Sequence, residues 1–239
     1  MALITRSLVP PTPRQPLRIL VPGSDTGAGK TVVTALITRW YRDQGLRTAA
    51  LKPLCSGSRQ DAQILQRASG SGTLDSINPW FFRAPLSPLI AARRAGLRVS
   101  LPEVLDRARA AETHHDVVIL EGAGGLLSPL GEQFNARDIL HAWKAVPLVV
   151  VPNRLGAINQ SLLVLEALGH QRRRARLALV APPRHSLATR TNLDFLRDRI
   201  GSERLIEIPR FHDPGRPVAP RSLAAPPAPW LPPPPPPPP

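Results

Sequence analysis

Six short apolar runs recur along the chain, and polar or amphipathic segments separate them. The runs are Leu17–Val21, Thr48–Leu51, Val117–Leu120, Leu148–Val151, Leu177–Val180 and Leu205–Ile208. Helical patterns lie between them at Thr31–Asp43, Leu101–Ala111, Ile158–Leu168 and Thr191–Arg199. Short apolar strands that alternate with amphipathic helices are typical of parallel sheets covered on both faces. The pattern therefore predicts a single α/β domain with a doubly wound, mostly parallel sheet, which binds ligands at the carboxyl ends of its strands.

A glycine-rich loop follows the first apolar run directly. Residues 23–31 read Gly-Ser-Asp-Thr-Gly-Ala-Gly-Lys-Thr. Glycines let successive backbone N–H groups face one anion, a lysine adds positive charge, and a threonine hydroxyl suits Mg²⁺. Five residues, not the usual four, separate the first glycine from Gly-Lys-Thr. The order of strand, loop and helix predicts a P-loop NTPase-like site, and the alternative is an ordinary glycine-rich turn that caps a helix.

Charged residues follow two further runs. Lys52 comes directly after the second run, and Glu121 comes directly after the third. Parallel strand ends share one edge of a sheet, so Lys52 is expected near the P-loop, where it would neutralise a transferring phosphoryl group. Glu121, Thr31 and one more carboxylate would suffice for Mg²⁺. Asp61 is that candidate, although its place before a helical pattern also fits an N-cap. Ser56 is either a substrate contact or a turn residue.

A polar segment links the fourth run to the next helical pattern. Residues 153–160 read Asn-Arg-Leu-Gly-Ala-Ile-Asn-Gln. A helix N-terminus offers free N–H groups and the positive end of a dipole, which suits a carboxylate. On spacing alone, the segment is equally compatible with a neutral connection between strand and helix.

Composition narrows the classes of partner. No apolar run among the 239 residues approaches the roughly 20 residues of a membrane span. The single cysteine, Cys55, fits a reducing compartment such as the cytoplasm. The net charge of +14 comes almost entirely from arginine, since only three lysines are present. Aromatic residues make up 4% of the chain, too few to interleave with the arginines. We therefore expect neither a nucleic-acid nor a membrane partner.

The two ends of the chain differ in composition from the middle. Residues 1–16 are interrupted by prolines and are predicted to be a disordered leader. Residues 217–239 are rich in proline and end in eight consecutive prolines, which predicts a disordered polyproline II tail. Residues 17–216 would then form the P-loop domain.

The ordered combination of motifs resembles the dethiobiotin synthetase family. The resembling segments are Gly23–Thr31, Lys52–Gly57, Asp61, Pro85–Pro88, Glu121–Gly125, Arg154–Asn159 and Ile208–Pro209. The resemblance implies a ligase of biotin biosynthesis that uses ATP and Mg²⁺. Such an enzyme converts 7,8-diaminononanoate and CO₂ into dethiobiotin, with ADP and phosphate as the other products. It also implies a cytoplasmic homodimer.

The resemblance further implies roles for individual positions. Lys30 and Lys52 would be the catalytic cations. The nucleotide-binding residues would be Gly27, Ala28, Gly29, Lys30, Thr31, Val32, Asp61, Glu121, Gly122, Ala123, Gly124 and Pro209. The metal ligands would be Thr31, Asp61 and Glu121. The substrate contacts would be Thr26, Ser56, Gly156, Ile158 and Asn159, the last three from the partner subunit.

The sequence departs from the family at two positions. Gly27 stands where some members carry a glutamate, which removes a charge near the phosphates. Pro182 stands where the family commonly has an asparagine that reads adenine. Proline has neither a side-chain donor nor a backbone N–H, so the nucleotide preference stays open.

Two other classes share the core pattern. A partitioning ATPase of the deviant P-loop type would carry a lysine at the position of Asp25. A synthetase domain of corrinoid biosynthesis would be attached to a glutaminase domain, and we expect none in this sequence. The motifs therefore favour the dethiobiotin synthetases.

Overall fold

The computed structural model describes residues 15–209, in which strands and helices alternate. The strands among these residues are β1 (Leu17–Gly23), β2 (Thr48–Leu51), β3 (Leu54–Ser56), β4 (Trp80–Phe82), β5 (Val117–Gly125), β6 (Val146–Pro152), β7 (Arg176–Val180) and β8 (Leu205–Ile208). The α-helices among them are α1 (Lys30–Asp43), α2 (Gln60–Ser69), α3 (Leu74–Ile77), α4 (Pro88–Arg94), α5 (Leu101–Glu112), α6 (Ala136–Trp143), α7 (Ala157–Ala167) and α8 (Leu187–Ile200).

One parallel sheet organises this part of the chain. Its strand order is β2-β5-β1-β6-β7-β8, and every pairing within it is parallel. Strand β5 lies between the edge strand β2 and β1, with Leu120 opposite both Leu51 and Leu20. All six predicted apolar runs lie in this sheet. The predicted α/β fold with a mostly parallel sheet is thus confirmed.

Helices cover both faces of the sheet, because successive side chains along a strand point to opposite sides. Ile19 and Val21 of β1 pack with Ile37 of α1 in one buried cluster. Leu20, between them, packs in a second cluster that contains Trp143 of α6. The strands therefore carry apolar residues on both faces, which explains why the runs did not alternate strictly with polar residues.

Several elements were not predicted, because they are short or depend on contacts distant in sequence. The two-stranded parallel sheet of β3 and β4 is made of strands only three residues long. Helices α3 and α4 span four and seven residues, too few to display a clear helical period. Helix α6 spans eight residues, and the capping box formed by Asn135 and Asp138 is a local signal that could have predicted its start. Strand β5 continues past the predicted end and includes Glu121, because Gly125 still pairs with Gly23 of β1.

Two helix starts differ from the expected ones. Helix α8 begins at Leu187, before the predicted Thr191, because Ser186 and Thr189 form a capping box. The N-cap of α2 is Arg59, so the interpretation of Asp61 as an N-cap is wrong. Asp61 lies in the first turn of α2, where its negative charge interacts favourably with the positive end of the helix dipole.

The predictions for the chain ends fall largely outside the described residues. Of the predicted leader, only Gln15 and Pro16 are described, and the tail at 217–239 lies wholly outside. The division of the chain at residues 16 and 216 therefore stays a prediction. Within residues 15–209, no helix has the length and apolar character needed to cross a membrane.

We expect Trp143→Ala to destabilise the fold strongly. Trp143 is 1% exposed, and its indole N–H donates to Glu112, which also pairs with Arg18 at 2.8 Å. Truncation removes a large buried ring and a buried hydrogen bond, so the free energy of unfolding should fall by about 3–5 kcal/mol. Urea denaturation followed by circular dichroism measures this change.

Leu187→Ala is the control for that measurement. Leu187 is 71% exposed, so its truncation should change the free energy of unfolding by less than about 0.5 kcal/mol. Equal effects of the two substitutions would contradict the position assigned to Trp143 in the core.

Candidate active site

The glycine-rich loop connects the carboxyl end of β1 to the first turn of α1. Gly27 and Gly29 adopt positive φ angles of 71° and 94°, which glycine tolerates at little cost. Gly23 is required for space, since a Cβ there would lie 2.8 Å from the Asp25 carbonyl oxygen and 2.9 Å from Lys30 Nζ. The loop is therefore shaped by its glycines into a tight turn at the start of a helix, as a phosphate-binding loop requires.

Lys30 is the first residue of α1 and is only 7% exposed. Its Nζ donates to the backbone carbonyl of Asp25 at 3.1 Å, so the side chain lies back over the loop. Burial, together with the nearby charge of Lys52, lowers the pKa of Lys30 from its ordinary value. A buried ammonium whose charge is disfavoured gains stabilisation when an anion binds beside it.

A cluster of polar side chains joins the ends of β2 and β5 to the starts of α1 and α2. Lys52 Nζ lies 2.6 Å from Glu121 Oε1 and 3.2 Å from Asp61 Oδ2. Thr31 Oγ1 donates to the same Glu121 Oε1 at 2.8 Å. The structure therefore places Lys52, Glu121, Asp61 and Thr31 in direct contact next to Lys30. These contacts span 90 residues of sequence between Thr31 and Glu121.

Two carboxylates keep Lys52 charged despite its burial. The Lys52 side chain is 5% exposed and that of Glu121 is 0% exposed, whereas Asp61 is 46% exposed. Burial alone would lower the pKa of Lys52, but the charges of Glu121 and Asp61 outweigh it and raise that pKa above its ordinary value. Lys52 is therefore an ammonium ion at neutral pH.

The donor set of this cluster fits Mg²⁺. The second carboxylate oxygen of Glu121, Oε2, is buried and has no hydrogen-bond partner among the described residues. A carboxylate oxygen, a second carboxylate from Asp61 and the Thr31 hydroxyl are the hard ligands that Mg²⁺ prefers. Residues 15–209 contain no group of three or more His, Cys, Asp and Glu side chains that could hold a metal. Mg²⁺ would accordingly keep water or phosphate oxygens as its remaining ligands.

An open cavity of about 690 Å³ surrounds the cluster. Its volume lies within the range of pockets that bind small molecules. The predicted site residues that line it are Thr26, Gly27, Ala28, Gly29, Lys30, Thr31, Val32, Lys52, Ser56, Asp61, Glu121, Ala123 and Gly124. Gly122 is adjacent, with its carbonyl oxygen 3.4 Å from Lys52 Nζ. The structure thus brings together the predicted residues that follow β1, β2 and β5.

Further residues that were not predicted to belong to the site also line the cavity. They comprise Leu54, Cys55, Ser58, Gln60, Ile64 and Ser128, together with the Pro85–Pro88 segment noted for its family resemblance. The Ser128 hydroxyl accepts a hydrogen bond from the N–H of Gly125 at 2.9 Å and so closes the turn after β5. These residues carry no local signal, because only the pairing of β3 with β4 and the turn after β5 places them here.

The segment predicted to bind a carboxylate lies elsewhere. Gly156 is the N-cap of α7 with φ of 91°, and Ile158 and Asn159 follow in the first turn. None of the three is among the residues that line the cavity. Leu155 beside them is 87% exposed. The site residues of one chain therefore form two separate groups.

A buried amide network holds the start of α7 in place. Asn153 is 1% exposed, and its Nδ2 donates to the Thr189 carbonyl at 2.9 Å and to Glu207 Oε1 at 3.0 Å. Asn192 Nδ2 donates to Asn153 Oδ1 at 3.0 Å and to the Arg154 carbonyl at 2.9 Å. The connection between β6 and α7 is thus fixed by α8 and β8.

Pro182 and Pro209 lie just beyond the ends of β7 and β8. The Ala181 N–H donates to the Ile208 carbonyl at 2.8 Å, which keeps the two strand ends side by side. Val180 approaches the P-loop so closely that a Cβ at Gly29 would lie 3.1 Å from its methyl carbon. Neither proline is among the residues lining the cavity.

Comparison with known proteins identifies the family. The AAA domain family model matches residues 17–217. An ATP-dependent dethiobiotin synthetase BioD of Akkermansia muciniphila is 39% identical over 150 residues, which cover 62% of this chain and 70% of that protein. The BioD of Anaeromyxobacter dehalogenans (strain 2CP-C) is 42% identical over 155 residues, which cover 63% of this chain and 70% of that protein. The chain belongs to the ATP-dependent dethiobiotin synthetase family. The predicted family is thereby confirmed.

A third relative agrees with that membership, whereas a similar solved structure adds little to it. The dethiobiotin synthetase BioD of Ralstonia nicotianae is 36% identical over 157 residues, covering 62% of this chain and 69% of that protein. Among solved structures, the signal recognition particle receptor FtsY of Elizabethkingia anophelis, in complex with GDP, has a TM-score of 0.43 and 17% identity. It covers 73% of this chain and 51% of that chain, a likeness too weak to bear on function.

We expect Cys55, the only cysteine of this dethiobiotin synthetase family member, to resist alkylation in the folded protein. Cys55 is 2% exposed, and burial raises the pKa of its thiol to about 12. A raised pKa favours the protonated form, so roughly one thiol in ten thousand is a reactive thiolate at about pH 8. Mass spectrometry after iodoacetamide treatment measures the reaction.

The same treatment in concentrated urea provides the control, since unfolding exposes the thiol and restores its ordinary pKa. Equal rates of alkylation with and without urea would contradict the buried position of Cys55 in the cavity wall.

Proposed function

We propose that this chain is a dethiobiotin synthetase that closes the ureido ring of dethiobiotin from 7,8-diaminononanoate and CO₂ while converting ATP to ADP and phosphate. The observation that carries the proposal is the contact cluster of Lys52, Glu121, Asp61 and Thr31 beside Lys30, at the end of a phosphate-binding loop. Family membership supplies the substrates, and the cluster supplies the charges that their reaction needs.

The reaction brings a weak nucleophile to a polyanion. One amine of the substrate adds to CO₂ and gives a carbamate, whose oxygen attacks the γ-phosphorus of ATP and releases ADP. The second amine then attacks the carbamate carbon, and phosphate leaves as the ring closes. Nearby cations must therefore screen the repulsion between carbamate and triphosphate and hold the reacting atoms in line.

In this proposal, Lys30 and Lys52 supply that charge, since both line the cavity. Both are buried, so their charges act in a poorly screened environment. The left-handed backbone at Gly27 and Gly29 suits an anion-binding nest for the phosphates, which Ala28, Val32 and residues 122–124 complete. Thr26 and Ser56 line the same cavity and are proposed to contact the diamine and its carbamate.

Thr31, Asp61 and Glu121 are proposed to hold Mg²⁺, which when bound neutralises charge on the phosphate oxygens. The unpartnered oxygen of Glu121 supports this role, because a buried carboxylate oxygen without a donor is costly in the absence of a cation. The Thr31 hydroxyl already lies 2.8 Å from Glu121, so little movement is needed to place both on one ion.

The nucleotide base is proposed to lie near the ends of β7 and β8, beside Pro182 and Pro209. Neither residue offers a backbone N–H to read the edge of a base. Incubating the protein with diaminononanoate, bicarbonate, Mg²⁺ and each of ATP, CTP and GTP, and measuring dethiobiotin and phosphate, tests both the reaction and the preference. Absence of dethiobiotin with all three nucleotides would overturn the proposed function.

We also propose a homodimer, with the start of α7 reaching the cavity of the partner subunit. Gly156, Ile158 and Asn159 do not line the cavity of their own chain, and α7 presents a free positive end that suits the substrate carboxylate. Leu155, just before this helix, and Leu163 within it are 87% and 61% exposed, and such exposed apolar side chains suit contact with a second copy.

A cytoplasmic location belongs to the same proposal. ATP-dependent synthesis draws on nucleotide made inside the cell. Cys55 is free and buried in the structure, which fits a reducing compartment. Cell fractionation with an antibody against the chain would test the location.

We expect Lys52→Ala to lower the rate of dethiobiotin formation by at least about a hundredfold, as loss of one preorganised charge contact commonly does. Circular dichroism must first establish that the variant is folded, because Glu121 loses its buried partner. Lys144→Ala is the matched control, since Lys144 is exposed at the end of α6. Near-normal turnover by a folded Lys52→Ala protein would remove Lys52 from the mechanism.

A complementation experiment tests the shared site. Lys52→Ala and Asn159→Asp are each expected to inactivate the protein, the second by repelling the substrate carboxylate. Co-expressed subunits should form mixed dimers with one intact site, so activity should recover to about a quarter of the wild-type value. Mixed dimers without activity would contradict a site built from two subunits.

A further inference from the structure

Lys52 lies where a bound cation would lie, between the carboxylates of Glu121 and Asp61. Its Nζ is 2.6 Å from Glu121 Oε1, 3.2 Å from Asp61 Oδ2 and 3.4 Å from the Gly122 carbonyl oxygen. The first two oxygens belong to carboxylates that the proposed function assigns to Mg²⁺. One ammonium thus occupies much of the proposed metal site.

The formal charges of Lys30, Lys52, Asp61 and Glu121 already balance, with two positive and two negative. The Asp25 carboxylate also acts on Lys30, more weakly than the other three. A divalent cation added alone would leave excess positive charge in a largely buried site, which is unfavourable at low dielectric. Metal can therefore enter at low cost only if Lys52 leaves the carboxylates.

We propose that Lys52 is the resident cation of the Glu121–Asp61 carboxylate pair, and that metal binding displaces it toward the anionic substrate. The inference deepens the proposed function and rests on it only for the identity of the metal ligands. Displacement removes both carboxylate partners from the ammonium, which then turns to water in the open cavity or, when one is bound there, to an anion. The triphosphate and the carbamate are the anions that the proposed reaction brings into the cavity.

The side chains are arranged so that the exchange needs no movement of the backbone. Lys52 lines the open cavity, so its flexible side chain can turn toward bound substrate. Asp61 is half-exposed and lies at the start of α2, where a hydrated metal can reach it. Glu121 keeps its contact with Thr31 and has an unused buried oxygen available to the metal.

Thermodynamic linkage gives the exchange a functional consequence. If Lys52 and metal compete for the same two carboxylates, then any anion that draws Lys52 away tightens metal binding, and metal in turn tightens anion binding. Lys52 would consequently contact the reacting anions only after metal has bound to the carboxylates. The lysine and the metal would therefore both act on the bound anions at the same stage of the reaction.

Binding of Mn²⁺ without nucleotide, followed by the electron paramagnetic resonance signal of free Mn²⁺, tests the competition. Lys52→Gln removes the cation but keeps a donor for Glu121, and it should bind Mn²⁺ about tenfold more tightly than wild type. Lys52→Arg keeps a cation and should bind as weakly as wild type. Lys144→Gln, a remote exposed change, should have no effect. Equal affinity of Lys52→Gln and wild type would overturn the exchange.

A second measurement uses the wild-type protein and does not depend on the folding of a variant. The chain has only three lysines, so acetylation of each is readily followed by mass spectrometry. Saturating Mn²⁺ should raise acetylation of Lys52 relative to that of exposed Lys144, because the displaced amine enters the open cavity. Unchanged protection of Lys52 at saturating Mn²⁺ would also overturn the exchange.

These outcomes are separate from those that test the proposed function. Neither measurement includes the diamine, CO₂ or turnover. A protein that forms dethiobiotin but shows no competition would retain the proposed function and lose the exchange. If Lys52 and Mn²⁺ compete but the protein forms no dethiobiotin, the exchange would stand and the proposed function would be wrong.

Discussion

A fully buried carboxylate within a parallel sheet must be neutralised, and the arrangement of the site follows from how Glu121 meets this requirement. Its strand β5 lies between β2 and β1, so the residues that follow those strands are the ones within reach. Lys52 supplies the counter-charge from β2, and Thr31 supplies a hydrogen bond from the helix that follows β1. The buried pair is costly to assemble in isolation, which indicates a role in binding or catalysis more than in stability.

The same constraint relates the structure of the cluster to its proposed chemistry. Charges that balance among Lys30, Lys52, Asp61 and Glu121 permit the cluster to be buried before any ligand arrives. In the proposed function, metal and triphosphate would perturb the cluster least when they bind together, since the charge of one compensates the other. Such a site would favour a metal–nucleotide complex over a free ion. This preference is consistent with an ATP-dependent enzyme family.

Much of the fold was predictable because its strands are buried on both faces. Continuous apolar character marked all six strands of the main sheet, and their alternation with helices implied parallel pairing. The local signals failed for β3, β4 and the short helices, which are too brief to show a period. They also predicted too early an end for β5. The charged residue Glu121 interrupts the apolar run, but the strand continues because Gly125 pairs with Gly23 of β1.

Sequence alone determined which glycines, lysines and carboxylates stand at the strand ends, and these are the residues proposed to carry the chemistry. It also determined the family, through the ordered combination of those segments. Only the tertiary structure decided that Lys52 contacts Glu121 and Asp61 directly, because the strand order that makes β2 and β5 neighbours is set by long-range pairing. Likewise, only the packing of α7 separated Gly156, Ile158 and Asn159 from the cavity, since no local pattern encodes the distance between two strand ends.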